Sequence, residues 1–201
     1  MTDYRTIDWT QIRPTSAEWE SGWRESHILD IGTLDSRLAA VVDNLNHTHG
    51  NGGARAAQFR LEAHPAIRWF LVRNRLTEVD FFRKFFQHDV VHRRLMAPSA
   101  SYTDGDLGFS LDEPFVASGR LAQIISNGGA YRRFEGCDAD VLVLVHDFMQ
   151  ATFENRYSEA RTYLSWKPWS SWFQDVAWDA SFFWLDPRTG TTTVLVVTDT
   201  D

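Results

Sequence analysis

The chain has one cysteine, Cys137, in 201 residues. A lone thiol excludes an internal disulfide and any zinc site built on several thiolates, and such scarcity fits a reducing compartment. Cys137 stands between Gly136 and Asp138 at a predicted helix start. A helix N-terminus depresses a thiol pKa, yet burial habits favour a small residue that fills space. Lysine is nearly missing too: Lys84 and Lys167 are the only two, so positive charge is carried by arginine. No apolar run approaches the ~20 residues that cross a bilayer. The opening MTDYRTIDWTQIRP lacks the basic-then-apolar layout of a signal peptide. A soluble, cytoplasmic protein with no membrane partner is expected.

Several catalytic motifs are also missing. The glycines of GNGG (50–53) have no following Lys and Ser/Thr to cradle phosphate. Neither Ser110 in DLGFSLD nor Ser118 in VASGR sits in a nucleophile elbow. The acidic run Asp104, Asp106, Asp112 and Glu113 departs from the spacing of an EF-hand loop, which leaves a solvated connection as the simpler reading. No cofactor is predicted.

What is present is an ordinary globular composition, 43% hydrophobic and 23% charged, in a chain long enough for one large core or two modest ones. The net charge of −7 is unevenly spread. Residues 55–97 carry nine Arg and Lys against four Asp and Glu, while both flanks are acidic. Arginine-rich helices can contact phosphate. An overall acidic chain is nevertheless repelled by a polyanion, which argues against nucleic acid and for pairing of these arginines within the chain.

Hydrophobic periodicity predicts an α+β fold: about four helices in an N-terminal part, packed on a C-terminal helix pair and a small antiparallel sheet ending in a hairpin. A helix over 33–46 is capped by Thr33 or Asp35, the HTHGNGG loop follows, and Ala54–Glu62 reads as a restarted helix. Pro65 suits the first turn of another helix to about Arg75. The longest predicted helix spans 78–96, with Phe82, Phe86, Val90 and Leu95 in one stripe. Residues 97–114 bring prolines, glycines and short polar side chains. The chain is therefore expected to form a single compact domain, 1–201, that allows a subdivision into a helical part (1–97) and a mixed part (115–201). Later predicted elements are a helix over 115–126, a short strand at Tyr131–Phe134, a helix over 138–155, and strands at 161–166, 176–185 and 191–198. The last two are joined by a turn at 186–190.

Histidines offer the main catalytic possibility. His47 and His49 form an H-x-H pair beside the glycine loop. His88 and His92 are spaced i, i+4, without the glutamate of a metalloprotease H-E-x-x-H. If the 78–96 and 138–155 helices pack together, His88, His92 and His146 or Asp147 would converge as metal ligands. A polar or hydrogen-bonded helix face is the simpler reading, so these four are alternative candidates and no metal is favoured.

Five of the nine tryptophans lie between 163 and 197. Trp166, Trp169 and Trp172 repeat every three residues around Pro168, which forbids a continuous helix, and Asp175 and Asp179 are interleaved with Trp172 and Trp178. Aromatic faces flanked by carboxylates suit a sugar ring, a cation or a protein anchor. Trp166, Trp169, Trp172, Asp175 and Asp179 are thus the candidate ligand-binding residues, with Trp178 and Trp184 assigned to the core. Two classes of function follow. The favoured one is a non-enzymatic protein that binds a protein or small-molecule partner through the Trp/Asp segment. The alternative is a metal-dependent, hydrolase-like enzyme on the central helices.

Overall fold

A computed structural model describes residues 7–201. Its centre is a six-stranded, fully antiparallel sheet of order β1-β2-β6-β5-β4-β3. The strands are β1 (His27–Asp30), β2 (Gly53–Glu62), β3 (Ser110–Asp112), β4 (Arg161–Ser165), β5 (Ala180–Asp186) and β6 (Thr191–Thr198). Seven helices are described: α1 (Ser16–Glu25), α2 (Ser36–Thr48), α3 (Pro65–Val72), α4 (Phe81–Gln87), α5 (Asp89–Leu95), α6 (Pro114–Asn127) and α7 (Asp138–Phe153). A single 3-10 turn, Leu76–Glu78, links α3 to α4. None of these helices is long and apolar enough to cross a membrane.

The α+β class holds, and the sheet is larger than the sequence suggests because β1 and β2 come from the N-terminal half. It is apolar on both faces because alternate side chains of its strands point in opposite directions. Ala57, Phe59 and Leu61 of β2, Phe183 and Leu185 of β5, and Val194 and Val196 of β6 face one core. The helices α1, α3, α4 and α5 cover it. Ala54 and Ala56 of β2, Phe182 and Trp184 of β5, and Leu195 and Val197 of β6 face a second core under α2, α6 and α7. The first core is dominated by α4. Its sequence FFRKFF buries Phe81, Phe82, Phe85 and Phe86 and leaves Arg83 and Lys84 outward. Phe183 receives Phe81, Phe82 and Phe85 edge-on, at centroid distances of 5.8, 5.4 and 5.2 Å, the geometry that aromatic quadrupoles favour.

Several expectations are corrected. Ala54–Glu62 is strand β2, held between β1 and β6. The 78–96 helix is broken: His88 has extended backbone (ψ 131°) and its Nδ1 accepts from the Val90 N–H, capping α5. Tyr131–Phe134 is irregular and carries no strand. Cys137 is exposed at the N-cap of α7 and fills no space in the core. The strand expected over 176–185 begins only at Ala180, which leaves Trp178 outside it; the following local features stand. Asp35 caps α2, Pro65 opens α3, Gly128 closes α6 at φ 67°, and the β5–β6 hairpin turns through 187–190.

One buried carboxylate, Asp199, organises loops at one end of the sheet. Asp199 accepts from the Asn51 N–H (2.9 Å) and the Ala130 N–H (2.7 Å), tying the α2–β2 loop and the α6–α7 loop to the C-terminal segment. Gly129 lies so close to it that a Cβ there would meet Asp199 Oδ2 at 2.2 Å and the Thr48 carbonyl at 2.4 Å. Beside them His49 is wholly buried, with Nδ1 2.9 Å from Thr48 Oγ1.

Candidate functional site

The aromatic segment forms the connection between β4 and β5, residues 166–179. Although β4 and β5 are neighbours, this connection leaves the sheet to cover the end of the first core. Its main chain pairs with residues 101–103: the Thr103 N–H donates to the Trp169 carbonyl (3.0 Å) and the Ser171 N–H to the Ser101 carbonyl (2.9 Å).

The structure divides the five candidate residues into three kinds. Trp169 is 1% exposed. Its indole N–H donates to Ser181 Oγ (2.8 Å), and its ring packs on Phe86 and Tyr102, so it is a core residue. Asp179 is equally buried and accepts from the Gln174 and Val176 N–H groups and the Thr198 hydroxyl. Its carboxylate holds the loop at both Gln174 and Val176, and Asp175 between them sits at the surface with φ 58°. Trp172 is half-buried, and the Arg55 guanidinium lies 4.9 Å from its ring centroid while donating to the Leu95 carbonyl. The cation expected from a ligand is here supplied by the chain itself. Trp166 alone of the three tryptophans is open, at 48%. Trp178, expected in the core with Trp184, is instead half-buried in the loop ahead of β5, whereas Trp184 is fully buried in the second core.

Trp166 stands next to the sheet edge formed by β3, which among the described residues pairs with β4 alone. In that register Ser110 faces Leu164 and Leu111 faces Tyr163. Leu111 is exposed, as are Phe115 and Val116 where α6 begins; Phe115 also stacks on Tyr157 at 4.7 Å. Asp104, Asp106 and Glu113 are exposed around this edge, with Lys167 3.5 Å from Asp106. Leu111, Phe115 and Val116 were not singled out in the sequence. Their signal is an apolar residue on each side of Asp112–Glu113–Pro114, which is weak without knowing that β3 ends the sheet.

The alternative metal candidates are not brought together. His88 spends Nδ1 on the α5 cap, and burial pushes its pKa below the ordinary histidine range, with Asp89 opposing and Arg93 assisting. His92 Nδ1 lies 2.8 Å from the Tyr102 hydroxyl, which itself donates to the Phe86 carbonyl. The hydroxyl has one proton, so His92 donates Nδ1–H to it. Burial raises the Tyr102 pKa to about 12. His146 and Asp147 are exposed on α7, whose core lies on the opposite face of the sheet from that of α4 and α5. No group of three His, Cys, Asp or Glu side chains able to hold a metal exists among the described residues. The H-x-H pair is likewise split, with His47 exposed near Glu135 and His49 buried.

No family model and no curated protein matches the chain.

Proposed function

We propose that this is a non-enzymatic binding protein that takes an extended segment of a partner protein along the β3 edge, anchored on Trp166. One observation carries the reading. The edge strand β3, whose outer side has no strand partner among the described residues, is flanked by exposed Trp166, Leu111, Phe115 and Val116. Edge strands recruit peptides through backbone hydrogen bonds, while pockets for alternate side chains set specificity. Tryptophan serves such a contact well because it contributes a large rigid surface at small entropic cost. The exposed Asp104, Asp106 and Glu113 favour a segment in which basic residues alternate with apolar ones. Trp169, Asp179 and the Arg55–Trp172 pair act as the support that fixes the loop, and they are not contact residues.

A panel of extended peptides tests this by amide chemical-shift titration. Peptides alternating Leu or Val with Lys or Arg should shift the amides of 110–112 and the Trp166 indole, and W166A and L111D should each weaken binding at least tenfold. Binding that ignores both substitutions, or no shift with any alternating peptide, overturns the proposal.

A further inference from the structure

The opposite end of the sheet has a geometry of its own. The Ile31 N–H donates to the Gln58 carbonyl (3.0 Å), and β1 continues the same register with Leu29 opposite Arg60 and His27 opposite Glu62. Antiparallel pairs alternate between hydrogen-bonded and non-hydrogen-bonded positions. His27, Leu29 and Ile31 therefore direct their main-chain groups toward β2, and Ile28 and Asp30 direct theirs outward, away from the sheet. Beyond Asp30 the edge closes: the Gly32 N–H is taken by Asp30 Oδ1 and the Gly32 carbonyl by Arg94. The outward-facing stretch is thus two residues that bracket Leu29.

We infer that β1 pairs antiparallel with β1 of a second copy, with Leu29 on the two-fold axis. In this register Ile28 faces Asp30 of the second copy and Asp30 faces its Ile28. Each such pair exchanges two N–H···O=C bonds, so the outward-facing groups of Ile28 and Asp30 on both edges match one another without remainder. Leu29 meets Leu29 of the second copy as a non-hydrogen-bonded pair, in which side chains approach closest. His27 and Ile31 of opposite copies lie alongside on the same face. Leu29 and Ile31 are 48% and 41% exposed in the single chain, and this contact covers them.

Charge supports the second copy as the occupant. A groove lined by Ile28, Leu29, Asp30, Val90, Arg93 and Arg94 runs beside the edge. Arg94 lies 3.6 Å from Asp30 of its own chain, while Arg93 has no carboxylate within ion-pair distance among the described residues. The register brings Asp30 of the second copy to this groove, where two arginines receive it. The arrangement is isologous, as a closed dimer requires, and it leaves the β3 edge of each copy untouched.

The contact is small, so the dimer forms at concentrations on the order of 10–100 μM. Sedimentation of the intact chain should move from 23.2 kDa toward twice that mass over this range, and L29K, which sets two ammonium groups face to face, should hold it at the monomer. A register test is independent of affinity. In a C137S background, L29C should form a disulfide-linked dimer under mild oxidation, because Cα atoms of non-hydrogen-bonded partners are about 4.5 Å apart. Under the same conditions I31C should not, since it faces His27. A monomer at every concentration, equal cross-linking of both cysteines, or a dimer indifferent to L29K overturns the inference. None of these outcomes bears on peptide binding at β3.

Discussion

Arg156 grips Asp186 through two parallel hydrogen bonds of 2.7 Å, with the carboxylate 4% and the guanidinium side chain 16% exposed. The pair fastens the loop after α7 to the start of the β5–β6 turn, where the Asp186 carboxylate also accepts from the Arg188 N–H. Desolvation pushes the Asp186 carboxyl up, but the hydrogen bonds from Arg156 and Arg188 outweigh it and hold the pKa below the ordinary carboxylate value.

Removing one partner strands the other. R156M should lower stability by about 3–5 kcal/mol, and the double variant R156M/D186L should recover most of that loss. Urea denaturation of both variants measures it. Equal loss in the double variant would show that the charge itself is needed.

Histidine gives a separate pH dependence. Burial pushes His49 down, with Asp199 opposing, and pushes His88 down as well. Their folded pKa values lie below the unfolded value of 6.5, so the unfolded chain binds more protons in the interval between them. Stability should therefore be full above pH 6.5 and fall as the pH drops below it, while Asp186 stays ionised throughout. Urea midpoints at pH 7.5, 6.5 and 5.5 should decrease in that order. H88N retains a capping acceptor and should flatten the slope.

Tryptophan substitutions separate support from contact. W169A empties a core position and leaves the Ser181 hydroxyl without its donor, at a cost of about 3–5 kcal/mol. W166A should change stability by less than about 0.5 kcal/mol. Thermal melts of the two proteins test the contrast.

Two glycines should respond in opposite ways to alanine. Gly119 lies exposed within α6 with open space around it, so G119A should stabilise by about 0.5–1 kcal/mol. G129A drives a methyl into Asp199 and the Thr48 carbonyl and should unfold the loop junction, seen as loss of amide protection at Asn51 and Ala130.

Elements with one dominant period were legible in the sequence. The helices α2, α6 and α7 and the strands β4 to β6 have clear apolar patterns and end signals. β2 reads as a helix in sequence because Ala, Arg, Gln, Leu and Glu are good helix formers, although Gln58-Phe59-Arg60-Leu61-Glu62 alternates with period two, as a strand does. Burial between β1 and β6 overrides the local preference. The break at His88 carries no proline or glycine; it depends on an imidazole that competes for a backbone N–H, which periodicity does not register. At the site, tryptophan spacing located the right loop but did not sort Trp169 from Trp166. That difference arises from contacts with Phe86 and Tyr102, far away in sequence.

The position of β6 sets how the chain must fold. It lies between β2 and β5 and contributes to both cores, yet its pairing with β2 joins residues more than a hundred positions apart. Such non-local closure is slow and leaves intermediates exposed. Until residues 191–198 leave the ribosome, β2 has no inner neighbour and the phenylalanines of α4 have only part of their floor. A nascent chain halted before that point should depend on chaperones, and release of the last strand should be the step that frees it.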